Sequence, residues 1–187
     1  MMYVHSYPSV LFCFFLACDP TEKNTAQWDE VLPEDASFGC PGDVQDNVTA
    51  AGGEVYVYGN QEIIATFYNG SADYHSRLSL VSPDEVFIGQ QNNTPDGTEV
   101  SLGTFTKGQK LIFSLAVPDT GATWYSGPAS ENTDGFVHAR IVQAETQLWY
   151  GGFEDLVFAG DKDYNDVCFS IRGDVSLQDP GTESSTR

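Results

Sequence analysis

Positive charge is scarce in this chain. Its 187 residues include 8 Lys and Arg against 27 Asp and Glu, a formal net charge of −19. A chain so acidic has little with which to neutralise phosphates, which sets nucleic acids and bare anionic membranes aside as partners. Histidine is nearly absent too. Of three, His5 lies beside an N-terminal apolar segment, leaving His75 and His138 for the rest. No serine stands in a Gly-x-Ser-x-Gly elbow, no Cys/His spacing suits zinc, and no glycine-rich strand-to-helix loop cradles phosphate. Nucleophilic, zinc and nucleotide chemistry are therefore poor expectations. Apolar residues nowhere recur at helical spacing for three turns, so little helix is expected.

What is abundant points to strands. Aromatics make up 13% of the chain, more than a disordered segment carries, and β-branched residues fill the apolar runs. Glu54–Tyr58 and Glu62–Tyr68, separated by Gly59-Asn60, read as a hairpin. Further strands are expected at Tyr74–Val81, around Val86–Ile88, and at Lys110–Val117, Phe136–Ala144, Thr146–Tyr150 and Val167–Ile171. Turn signals at Asn69-Gly70, Pro83-Asp84, Thr94-Pro95-Asp96-Gly97 and Pro118-Asp119 punctuate them. The expectation is an all-β fold: a β-sandwich of eight to ten short antiparallel strands, with jelly-roll topology as one option. It would occupy residues 38–173, followed by a frayed polar tail over 174–187. Trp124, Tyr125, Trp149 and Tyr150 are candidates for stacking on sugar rings, although strand alternation would bury about half of them.

The N-terminus reads as a processing signal over residues 1–17. Ser9–Ala17 is apolar and too short to span a bilayer. It ends in Phe15-Leu16-Ala17-Cys18, which resembles a bacterial lipobox, with Phe where Leu is usual. The resemblance implies lipidation of Cys18, with residues 18–37, polar and acidic, as a flexible tether. Cys13 would leave with the signal. Cys40 and Cys168 then remain in an oxidising compartment, where one disulfide is the simplest outcome and two buried thiols the alternative.

The densest chemistry lies in Gly152-Phe153-Glu154-Asp155-Leu156 and Gly160-Asp161-Lys162-Asp163-Tyr164-Asn165-Asp166. Five carboxylates and one carboxamide fall between Glu154 and Asp166, with Lys162 as the only base among them. Such a cluster repels itself unless a cation sits inside it. Oxygen-only ligands suit a hard ion, and Ca²⁺ takes six to eight of them. Candidate metal ligands are Glu154, Asp155, Asp161, Asp163, Asn165 and Asp166. Asp161, Asp163 and Asn165 match the first three ligands of an EF-hand loop. The pattern then fails, with Asp166 in place of the glycine and Arg172 in place of the final glutamate. Missing ligands must come from Glu154, Asp155 or a distant loop. Two other readings are a general acid/base pair of carboxylates and a solvated acidic turn. A possible additional site comprises Asn132, Asp134 and His138, where an ordinary turn and a structural histidine are the duller alternatives.

These residues carry a family resemblance. The segments 152–156 and 160–167 resemble the signature of the DUF4114 domain family, and Asn132-Thr133-Asp134-Gly135-Phe136-Val137-His138 is similar to that family's Asn-x-Asp-Gly-x-x-His motif. The resemblance implies a bacterial extracellular module whose acidic residues serve calcium binding or catalysis. The combined expectation is a calcium-binding extracellular β-sandwich lipoprotein module, an adhesion or ligand-binding domain at the cell envelope. Its ligand would be a glycan or protein, and it would meet membrane only through its lipid anchor. The alternatives are a carboxylate-dependent hydrolase acting on polysaccharide and a passive structural surface lipoprotein.

Overall fold

The computed structural model describes Cys40 and residues 52–181. The expected signal segment, Cys13, Cys18 and the tether lie outside the described residues, as do residues 182–187.

Among the described residues, eleven strands form two antiparallel sheets: β1 (Val55–Val57), β2 (Glu62–Asn69), β3 (Arg77–Ser82), β4 (Val86–Gln90), β5 (Thr98–Thr104), β6 (Lys110–Val117), β7 (Ala122–Tyr125), β8 (Ala139–Glu145), β9 (Leu148–Phe153), β10 (Val167–Arg172) and β11 (Val175–Ser176). One sheet runs β5-β2-β10-β9-β8; the other runs β11-β1-β6-β3-β4, with β7 paired to the C-terminal half of β6. The all-β sandwich expected from the sequence is what forms.

Two details differ. The Glu54–Tyr68 hairpin does not exist: β1 pairs with β6 and β11, whereas β2 pairs with β5 and β10. The chain at Gly59-Asn60 crosses between sheets instead, which lets Val55 and Val57 join Ile63 and Ala65 in one core. Three successive strands, β8, β9 and β10, also form a meander within one sheet, a departure from jelly-roll alternation. Three strands carried too weak a pattern to be read. β5 is largely exposed and polar, while β7 and β11 span four and two residues. With β11, folded structure continues past Gly173, and Leu177 still packs on the core.

Among the described residues, the buried core runs from Val55 to Val175. Phe67, Phe113, Phe153 and Phe169 are fully buried, with the Phe113 and Phe169 rings 4.9 Å apart. In β10, Val167, Phe169 and Ile171 face this core. Cys168 faces the other way, into a small cluster with Cys40, Tyr68, Val142 and Tyr164. Because both faces are covered, five successive β10 residues are buried. The Cys40–Cys168 disulfide is present in this second cluster.

The two glycines of β9 make room on opposite faces. A Cβ on Gly151 would come within 2.3 Å of the Phe169 ring, and one on Gly152 within 1.9 Å of the Tyr164 carbonyl oxygen. Gly152 thus lets the acidic segment fold back against the sheet.

Candidate metal centre

Residues 154–166 link the end of β9 to the start of β10 and close one end of the sandwich. The main chain entering this loop is gripped from below. The Glu154 amide donates to the His138 carbonyl, and the Glu154 carbonyl lies 3.1 Å from His138 Nδ1. Trp124 stacks on the His138 ring at 3.9 Å, and its Nε1 donates to the Asp155 carbonyl at 2.8 Å. His138 Nε2 lies 2.9 Å from Asp134 Oδ2, which also accepts from the Phe158 amide at 2.7 Å. Burial alone would raise the Asp134 pKa. Hydrogen bonds from His138, Phe158 and Phe136 outweigh it, and the pKa lies below the ordinary value.

Asp134 and His138 therefore do meet, as a bracket beneath the loop, whereas the Asn132 side chain turns to other partners. Asn132 accepts from the Tyr125 amide and donates to the Tyr125 and Phe136 carbonyls. Its polar atoms are spent holding the turn.

Above the bracket the backbone is unusual. Phe158, Ala159, Lys162 and Tyr164 all have positive φ, between 56° and 68°, as does Gly160 at 40°. Four non-glycine residues in this region within seven positions are held only because their surroundings over-determine them. Asp161 Oδ1 accepts from the Asp163 amide, and Asp163 Oδ1 from the Asn165 amide, so alternate side chains fold back onto the loop.

The six candidate ligands divide into groups. Glu154, Asp161 and Asp163 each present a carboxylate oxygen, all within 4.8 Å of one another, and this trio could hold a metal ion. Glu154 is buried, Asp163 half-buried and Asp161 exposed, so the trio opens from the interior to the surface. Asn165 stands beside it. Its amide donates to Asp163 Oδ2, while its oxygen accepts from the Ser71 hydroxyl. Asp155 and Asp166 form a separate pair. Asp166 Oδ2 accepts the Asp155 amide at 2.8 Å, and Asp155 Oδ2 lies 3.3 Å from Ser76 Oγ.

Electrostatics follow from burial without cations. Among the described residues no ion pair reaches any of these five carboxylates. Glu154 accepts one hydrogen bond, from the Tyr164 amide, and has no other hydrogen-bond partner for its carboxylate among the described residues. Burial pushes its pKa up to about 8; the Tyr164 amide opposes this, while the charges of Asp166, Asp161 and Asp163 add to it. Asp155 rises to about 7, first through burial and then through the charge and hydrogen bond of Asp166. Burial likewise raises Asp163 and Asp166. The negative charge of this loop is thus held against its own repulsion, by protons or by a cation.

Several contributors gave no signal in the sequence. Ser71 and Ser76 come from the loop between β2 and β3, far away in the chain, and no local pattern marks them. Gln91, buried, clamps that loop through the Gly70 amide and the Gly70 and Ala72 carbonyls. Trp124 and Trp149 belong to the core, so neither offers a ring face to a sugar. No model of a known protein family matches the chain, and no curated protein matches it either.

Proposed function

We propose that the protein is a calcium-binding module of the cell envelope, with Glu154, Asp161 and Asp163 as the ligands of one Ca²⁺ ion. The observation carrying this reading is the buried Glu154 carboxylate converging with Asp161 and Asp163 where no basic side chain compensates it. Oxygen donors alone favour a hard cation. An irregular loop suits the flexible geometry of Ca²⁺ better than the strict octahedron of Mg²⁺. Asp155 and Asp166 would support the ion from a second layer of charge, and Asn165 would orient Asp163. Three carboxylates leave coordination positions open at the exposed Asp161 side, where waters or a ligand's oxygens complete the shell.

The lipobox-like Cys18, the disulfide and the motifs resembling the DUF4114 family support an extracellular setting, where calcium is plentiful. In that setting the module is a lipid-anchored adhesion or ligand-binding domain. Metal would act through folding, because an ion that binds only the native state stabilises it by mass action, about 2.7 kcal/mol at a hundredfold excess over Kd. Thermal melting tests the reading. The melting temperature should fall on chelation and recover with Ca²⁺ but not with Mg²⁺, and Asp163→Ala should abolish the response. An unchanged melting temperature across all three conditions would sink it.

A further inference from the structure

The outer face of the six-stranded sheet carries a line of side chains that the calcium reading does not use. Leu78, Ile88, Phe113, Leu115 and Trp124 belong to the core, so Ser79, Phe87, Ser114 and Tyr125 project outward. Register sets these four in one row across β4, β3, β6 and β7. Phe87 lies opposite Ser79, Ser79 opposite Ser114, and Ser114 opposite Tyr125. Two small hydroxyl side chains thus floor the gap between two aromatic ones, which stand three strand spacings, about 14 Å, apart.

The row is open to a partner. Phe87 is 46% exposed, and the Arg77 guanidinium lies 5.2 Å from its ring centroid. Arg77 is itself exposed and has no ion pair among the described residues. Ser114 is only 5% exposed, yet its hydroxyl, like that of Ser79, has no hydrogen-bond partner among the described residues. A hydroxyl set so low is satisfied by whatever settles on the face, water or ligand. The adjoining row sets Ala116 between Arg77 and Thr123. Neither row holds a carboxylate, although Asp and Glu number 27 in the chain.

We infer that this face is a binding platform for an uncharged polysaccharide. The C–H faces of sugar rings pack on Phe87 and Tyr125. Sugar hydroxyls meet those of Ser79 and Ser114, which both donate and accept, and the donors of Arg77. The gap between the two aromatic side chains is wider than one sugar ring, which favours a chain over a monosaccharide. Charge selects the neutral kind. An acidic polysaccharide would find one guanidinium against the repulsion of a −19 chain, whereas an uncharged one meets rows free of carboxylates. An apolar partner would bury two unpaired hydroxyls, which is unfavourable. Glu154, Asp161 and Asp163 take no part, so the platform stands or falls separately from the calcium reading.

The test is native affinity electrophoresis of the protein in gels cast with dextran, laminarin, galactomannan, hydroxyethylcellulose or alginate. Each gel is run in Ca²⁺ and in chelator. Retardation is expected in at least one neutral gel, in chelator as well as in Ca²⁺, and not in alginate. Phe87→Ala removes an exposed ring, and Ser79→Glu puts a carboxylate in the middle of the row. Each should weaken binding about tenfold or more. Val157→Ser, an exposed apolar change on the acidic loop, should leave the retardation as it is.

Retardation in none of the neutral gels would overturn the proposal, as would retardation that survives both Phe87→Ala and Ser79→Glu. Retardation lost in chelator and in Asp163→Ala would move the ligand to the metal centre, and a dimer that dissociates in Phe87→Ala would give the face to a second copy. Either result overturns the platform. Failure to bind calcium with the retardation intact would remove the calcium reading alone.

Discussion

Glu154 concentrates the physical problem of this molecule in a single side chain. It is buried, accepts one backbone hydrogen bond, and faces two further carboxylates. Its pKa near 8 and that of Asp155 near 7 mean that the metal-free fold takes up protons that the unfolded chain releases at the ordinary values of 4.5 and 3.8. The sign follows directly. This contribution to stability is complete below those ordinary values and is lost as pH rises through about 7 to 8. Metal-free protein should therefore melt at progressively lower temperature between pH 5 and pH 9, whereas calcium-loaded protein should not. A metal-free melting temperature that climbs across this range would contradict the burial of Glu154. Glu154→Gln should behave in the opposite way to most core changes. Without metal at pH 9 it should be about 1–2 kcal/mol more stable than wild type, and it should no longer respond to calcium. Denaturant unfolding in chelator reads both effects.

The loop from Glu154 to Asp166 owes its shape to elements on every side of it. Gly152 lets the Tyr164 main chain approach β9, Gly160 lies against Glu154 Oε2, and the Asp134–His138 pair holds its entry. Gly160→Ala would place a Cβ 2.5 Å from that oxygen at φ 40°. It should weaken calcium affinity at least tenfold while lowering stability by about 1–3 kcal/mol, as titration and melting of the same sample would show. Asn132→Ala removes three hydrogen bonds from a buried side chain. It should cost about 1–3 kcal/mol but leave the trio's chemistry intact, which calcium titration can verify. Much of this element was legible in the sequence. The carboxylates of 154–166 stood out by density alone, and the alternation of Asp161, Asp163 and Asn165 did mark a tight loop. The division of the six candidates was not legible, because it depends on Ser71 and Ser76 arriving from another loop. Nor was the crossing at Gly59-Asn60, since a two-residue Gly/Asn turn has the same sequence whether its strands pair or part.

Across the whole molecule, alternation in the strongly apolar strands was enough to read the sandwich, while β5, β7 and β11 depend on neighbours for their pairing. One covalent link ties the fold's N-terminal entry to the strand leaving the acidic loop. The disulfide spans a sequence separation of 128 residues, for which the chain-entropy model gives about 4–5 kcal/mol. Replacing both Cys40 and Cys168 with alanine should lower stability by about 2–5 kcal/mol. It should also loosen Tyr164, which packs against the pair, and calcium affinity should fall with it. Hydrogen exchange of the Tyr164 amide would register that loosening.

The central claim is that a cation replaces protons among Glu154, Asp161 and Asp163, and calorimetric titration with Ca²⁺ in buffers of different ionisation enthalpy addresses it most directly. Saturable binding is predicted at pH 7, with an apparent enthalpy that varies with buffer because protons leave Glu154 and Asp155 as the ion enters. At pH 9 the same binding should proceed with little dependence on buffer. The account would be contradicted by the absence of saturable heat at either pH, or by binding that persists unchanged in Asp163→Ala and Glu154→Gln.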